Sequence, residues 1–226
     1  MSRANRWMLL LVCLIAIRGA AQGVDVSLRV QFRDAANAVP GDSQVVVWLS
    51  PLDAAIAPAR ATRTYRMEQK NKQFVPHLLV VPVGSTVEFP NLDPFFHNVF
   101  SLFNGRRFDL GLYETGKSQR VKFSREGVSY IFCNIHPEMG GIILSLTTPY
   151  YAISSAGNVS IRGLAPGSYK LEIWSERASA ESLTAATRTV MVAPGRGDLG
   201  VVTLALSPLA KQRHQNKFGE QYPFEK

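Results

Sequence analysis

Apolar and polar residues alternate with a period of two along much of this chain, and that pattern commits it to β-structure. Val24, Val26, Leu28, Val30 and Phe32 alternate with polar neighbours, and so do Val121 and Phe123, then Tyr169, Leu171 and Ile173, then Val190 and Val192. Successive side chains of a strand point to opposite faces, so alternation marks one buried face and one wet face. Three continuous apolar runs, residues 45–49, 78–81 and 142–144, lack the wet face and read as more deeply buried strands. Pro40-Gly41, Val83-Gly84, Pro166-Gly167 and Pro194-Gly195 supply turns between strands. No long segment has helical periodicity, and residues 178–186, rich in Ala, read as either a helical turn or a loop. The expected fold class is all-β, made of β-sandwiches.

A length of 226 residues allows one large domain or two small ones. Residues 1–21 are set apart from the fold. Arg3 and Arg6 precede an apolar stretch over residues 7–17, and Gly19-Ala20-Ala21 closes it with small residues. This is the pattern of a cleaved secretory signal peptide, and it predicts export, to a periplasm-like compartment. The competing reading, an uncleaved membrane anchor, needs a longer apolar run of about 20 residues. No other stretch is apolar enough to cross a bilayer, so the mature chain is expected to have no transmembrane segment. Residues 63–149 form a central unit. Residues 22–62 and 150–206 carry strand patterns, but each piece is short for independent stability. They are expected to pair as two parts of one accessory sandwich, with the central unit inserted between them. The rival arrangement merges all three strand groups into one elongated sandwich. Residues 207–226 form a polar tail, expected to be mobile or draped on the surface.

Loss of residues 1–21 changes the cysteine count. The chain has two Cys, and Cys13 lies within the apolar leader, so the mature protein keeps Cys133 alone. A lone exposed thiol is a liability in an oxidising compartment, whereas a thiolate bonded to a metal is occupied and shielded. The formal charge of +8 includes Arg3, Arg6 and Arg18, so the mature chain carries +5. These charges are scattered and no nucleic-acid motif is present, so no nucleic-acid partner is expected. A mildly basic surface suits docking to an acidic redox partner or simple solubility.

The chemistry concentrates in one run, Tyr130-Ile131-Phe132-Cys133-Asn134-Ile135-His136-Pro137-Glu138-Met139-Gly140, where Cys133, His136 and Met139 follow a Cys-x2-His-x2-Met spacing. His97 lies upstream, in Asn91-Leu92-Asp93-Pro94-Phe95-Phe96-His97-Asn98-Val99. One thiolate, two imidazoles and one thioether form the donor set of a blue-copper electron-transfer site. Soft sulfur favours Cu(I) and imidazole serves both oxidation states, so a His2Cys set with a weak axial Met suits neither state fully and eases exchange between them. Taken singly, Met139 reads as core filler, Cys133 as a small hydrophobe and each His as a hydrogen-bonded structural residue. Their joint spacing in an exported β-chain favours copper. His77 reads as structural and His214 as solvated, although both stay conceivable auxiliary Cu(II) sites. Phe95, Phe96, Phe103, Pro137 and Met139 make an apolar set that is either core or a docking patch around His136. Asn158-Val159-Ser160 matches a glycosylation acceptor by chance.

The central unit resembles a cupredoxin of the plastocyanin/amicyanin type. The segment Val83-Gly84-Ser85-Thr86-Val87-Glu88-Phe89, followed by Asn91, Asp93 and His97-Asn98-Val99, is similar to that family's first ligand loop, and the Cys-x2-His-x2-Met spacing to amicyanin's short second loop. The resemblance implies a Greek-key sandwich binding one type 1 copper ion, with His97, Cys133 and His136 as equatorial ligands and Met139 axial. It also implies that Asn98 hydrogen-bonds across the two ligand loops. Through Phe74-Val75-Pro76, Phe108-Asp109-Leu110-Gly111-Leu112-Tyr113 and Cys133-Asn134-Ile135-His136-Pro137-x-Met139, the whole chain resembles an exported group labelled methylamine utilisation proteins. Residues 157–171 resemble carboxypeptidase-regulatory-like domains, which implies a small transthyretin-like accessory sandwich. Trp174-Ser175-Glu176 departs from that group, whose chains often carry Trp-His at this point. The implied function is a periplasmic one-electron carrier, not an enzyme, with unnamed redox proteins as partners. The alternatives are copper storage or delivery, and a non-redox envelope-binding module. Four His in the whole chain are too few for a trinuclear cluster, and one mature Cys is too few for a binuclear purple site.

Overall fold

The computed structural model describes residues 23–33, 44–53, 63–102, 106–207 and 217–218. The expected signal peptide, most of the polar tail with His214, and Phe103 lie outside the described residues.

Among the described residues there are seventeen strands and one helix, so the chain is all-β as its alternation predicts. The strands form four sheets and a hairpin. The first sheet has the order β14 (Asn158–Leu164), β1 (Val24–Phe32), β17 (Asp198–Leu204). The second runs β13 (Tyr151–Ser154), β2 (Val45–Pro51), β15 (Gly167–Trp174), β16 (Arg188–Val192). The third runs β6 (Leu78–Pro82), β12 (Gly140–Leu146), β11 (Gly127–Phe132), β8 (His97–Ser101), β9 (Phe108–Tyr113). The fourth runs β10 (Ser118–Phe123), β7 (Ser85–Pro90), β3 (Thr64–Arg66). The hairpin pairs β4 (Glu68–Lys70) with β5 (Gln73–Val75).

Three apolar clusters join the four sheets face to face. Val26, Leu28 and Val30 of β1 share one cluster with Val45, Val47 and Leu49 of β2 and Leu171 of β15. Val99, Ile131 and Ile143 share a second with Val87, Phe89, Val121 and Phe123. The third is a seam between the sandwiches, where Val46, Trp48 and Trp174 meet Leu78, Val80, Ile142, Leu144 and Leu146. The continuous apolar runs thus have a physical cause. Alternate residues of β2 feed the first core and the seam, and Ile142, Ile143 and Leu144 of β12 likewise divide between the seam and the second core. A strand covered on both faces cannot afford a polar position.

The strands of residues 23–53 pair only with strands from residues 151–204: β1 lies between β14 and β17, and β2 between β13 and β15. The strands of residues 64–146 make the other two sheets and the hairpin. The Ala-rich stretch is a helix, α1 (Ala180–Ala186), whose N-cap Ser179 side chain accepts from the Ser182 amide.

Candidate metal centre

Strand pairing brings the two candidate ligand loops to one end of the second sandwich. His97 opens β8, and Cys133 follows the last residue of β11, whose Phe132 pairs with Phe100 of β8. Phe132 also pairs with Gly140 of β12, so residues 133–139 form the connection between adjacent antiparallel strands. Two main-chain bonds tighten it: the Met139 amide donates to the His136 carbonyl (3.0 Å) and the Cys133 amide to the Met139 carbonyl (3.1 Å). Gly141, just past the loop, has a packing reason to be Gly. A Cβ there would lie 2.9 Å from Cβ of Phe74, closer than atoms of two side chains approach.

Three donors converge. Cys133 Sγ lies 3.7 Å from His97 Nδ1 and 3.5 Å from His136 Nδ1, and the ligating atoms of all three residues lie within 4.8 Å of one another. Such separations suit one shared ion at roughly 2.0–2.3 Å from each nitrogen and sulfur. His97, Cys133 and Met139 are fully buried, and Met139 packs in the same cluster as Cys133. His136 is half-buried, the one imidazole of the pair with a route to solvent. Burial pushes the Cys133 thiol up, while the backbone N–H groups of Asn98, Ile135 and His136 point at its sulfur and oppose that rise. The chemistry of this donor set fits copper: thiolate and thioether are soft donors, and the imidazoles accept both copper states.

His97 is held from behind. Its Nε2 lies 2.8 Å from Asp93 Oδ2 in a buried contact. With Nε2–H donated to the carboxylate, the Nδ1 lone pair is the one facing the sulfur, the arrangement that fixes a ligand tautomer. Asp93 is itself clamped by two amides, Asn71 N–H to Oδ1 (2.6 Å) and Lys72 N–H to Oδ2 (2.9 Å). Both donors sit at φ 56° in the two-residue turn between β4 and β5, a left-handed turn that matches hairpin twist. Burial works against the Asp93 charge, but the Lys72 amide, the His97 ring and the Asn71 amide outweigh it and hold the carboxyl below its ordinary range. Asn91 completes the clamp. It accepts from the Asp93 amide (3.0 Å) and donates to the carbonyls of Phe95 and Tyr113.

Asn98 reaches the second loop by its main chain. Its amide faces the Cys133 sulfur, while its side chain donates sideways to Asp109 Oδ1 (2.8 Å) and the Gly111 carbonyl (2.9 Å) of β9. His77 stands apart from the three-donor cluster. Its ring nitrogens lie 3.1 Å from the Gly140 carbonyl and 2.9 Å from Glu176. Of the apolar set, Phe95 and Phe96 are exposed, with the Phe95 ring 5.7 Å from that of His136, and Pro137 is half-buried, whereas Met139 belongs to the core; Ile135, outside that set, is also exposed on the loop. The Asn71-Lys72 turn escapes sequence reasoning because it acts through backbone amides. Asp93 left a fainter signal, a carboxylate four residues before a candidate ligand His.

No protein-family profile matches the chain, and no curated protein matches it. Among solved structures it is similar over 42% of its length to a copper-containing nitrite reductase from Thermus scotoductus (27% identity, TM-score 0.36), and spans 25% of that chain. It is similar over 37% of its length to a purple cupredoxin from Nitrosopumilus maritimus, of which 99% is covered (28% identity, TM-score 0.33). A reduced amicyanin variant matches 43% of this chain and 98% of its own at 19% identity, TM-score 0.34.

Proposed function

We propose that this chain is an exported, cupredoxin-like copper protein, in which His97, Cys133, His136 and Met139 would hold one copper ion, and that it carries single electrons. The observation that carries this reading is the convergence of two Nδ1 atoms on one buried thiol sulfur. Bound copper would supply a Cu(I)/Cu(II) couple at that point. The chain does the rest. Asp93 and the Asn71-Lys72 turn keep His97 in one tautomer and one orientation. Three backbone amides stabilise negative charge on the sulfur. Burial of His97, Cys133 and Met139 excludes water, so the donors need little rearrangement when charge changes. His136, half-buried and flanked by exposed Phe95 and Ile135, is the side from which a redox partner would approach.

The test is a visible spectrum of the chain lacking residues 1–21 after Cu(II) addition, with voltammetry. Intense colour and a reversible wave are expected, and Met139→Leu should keep the colour while shifting the potential. A colourless Cu(II) protein with no wave would sink the proposal. Rapid surrender of copper to an acceptor during redox cycling would favour copper delivery instead. Among the described residues no helix is long and apolar enough to cross a membrane.

A further inference from the structure

One residue far from the candidate ligands in sequence touches the ligand loop. The Lys217 amide donates to Asn134 Oδ1 (2.9 Å), next to Cys133, and Lys217 Nζ donates to Asp109 Oδ2 (2.8 Å). The other oxygen of Asp109 accepts from the Asn98 side chain, and the Asn98 amide faces the Cys133 sulfur. These contacts close a ring: Cys133 sulfur, Asn98, Asp109, Lys217, Asn134, and back through one peptide bond to Cys133. Lys217 lies beyond β17, the last strand among the described residues.

We propose that Lys217 is a positioning residue for the candidate copper site, a strap that fixes the Cys133 end of the ligand loop against β9. The inference rests on the copper reading above for its purpose, while the strap itself is made of contacts between protein groups alone. The ion pair is partly exposed, at 28% for Lys217 and 39% for Asp109, and pairs so placed add little to global stability. Its effect belongs in local opening of the loop, which governs access to the thiol.

The test compares the chain lacking residues 1–21 with Lys217→Met, Lys217→Arg and, as a control on an exposed lysine of β10, Lys122→Met. The first readout is the rate at which iodoacetamide alkylates Cys133 in the metal-free protein under native conditions. Lys217→Met should raise that rate roughly threefold, Lys217→Arg should restore it, and Lys122→Met should leave it unchanged. In the copper-loaded protein, Lys217→Met should release copper faster to a chelator and shift the thiolate-to-copper absorption, neither of which a remote stability change would do. An unchanged alkylation rate in Lys217→Met overturns the proposal. So does an equal rise in Lys122→Met, or a rise fully accounted for by a lower urea midpoint. If the unsubstituted chain takes up no copper, the functional reading falls, while alkylation still decides the strap.

Discussion

The two sandwich cores are built from the same alternating strands and differ in what they bury. The core around Leu49, Tyr169 and Leu171 is a cluster of apolar side chains, and among the described residues the buried polar ones in its half of the stack are Thr148 and Ser175. The core around Cys133 shares its sandwich with buried Gln69, Asn91, Asp93, His97 and Asn98. A buried polar network fixes geometry when every member is satisfied and costs stability when it is not. Here Asn91 and Asp93 tie this network to the main chain and to His97 through several hydrogen bonds. The difference is one of content: one core is apolar, the other shares its sandwich with the polar groups around the candidate metal centre, and we propose that the seam lets the first support the second.

Truncation of the apolar core is the harshest way to break this comparison. Leu171 is fully buried, so Leu171→Ala should cost about 2–5 kcal/mol in urea unfolding. Because the seam joins the sandwiches, exposure of the Cys133 thiol should follow the same shifted transition as fluorescence of the seam residues Trp48 and Trp174. Copper affinity of the folded variant should be unchanged. Thiol exposure at the original urea midpoint would show that the two halves unfold independently, and the proposed support would be wrong.

Asp93→Ala is the complementary cut, smaller in stability and specific to the site. It leaves the amides of Asn71 and Lys72 and the His97 Nε2–H without their acceptor. Loss of such a partner behind a ligand His should lower copper affinity about 10–100-fold, measured by chelator competition. The same carboxyl sets an acid limb. Its folded pKa is lowered, so its contribution is present above the unfolded value of about 3.9 and is lost as pH falls through the folded one. Asp93→Asn should flatten that limb in the metal-free protein. An unchanged copper affinity in Asp93→Ala would mean that packing alone orients His97.

Much of this organisation is legible in the residues, for reasons that also explain what is not. The runs at 45–49, 78–81 and 142–144 stand out because a strand buried on both faces loses its polar half, and these runs lie in the seam. His97, Cys133 and His136 stand out because thiol and imidazole are rare and chemically distinct, and their donors do converge. The seam between the two sandwiches was not legible, since alternation says that a face is buried and not against which partner. Nor was the strap. A lysine in a polar tail looks like any solvated charge until its amide is found on Asn134.

The smallest expected effect lies where the two halves meet, at His77 and Glu176. Their side chains are 52% and 44% exposed, so the pair should contribute less than about 1 kcal/mol. The Glu176 carboxylate, helped by the Gly140 carbonyl, raises the His77 pKa against the opposing effect of burial. A raised pKa means that the contribution is complete below the unfolded value of about 6.5 and fades as pH rises through the folded value. Urea midpoints of the metal-free protein should therefore fall slightly from pH 6 to pH 9, and Glu176→Gln should remove most of that slope. Because His77 also touches Gly140, the residue after Met139, the slope reports whether the accessory half bears on the ligand loop. A Glu176→Gln protein that keeps the full slope would place the titration elsewhere and remove the His77–Glu176 pair as a coupling between the two halves.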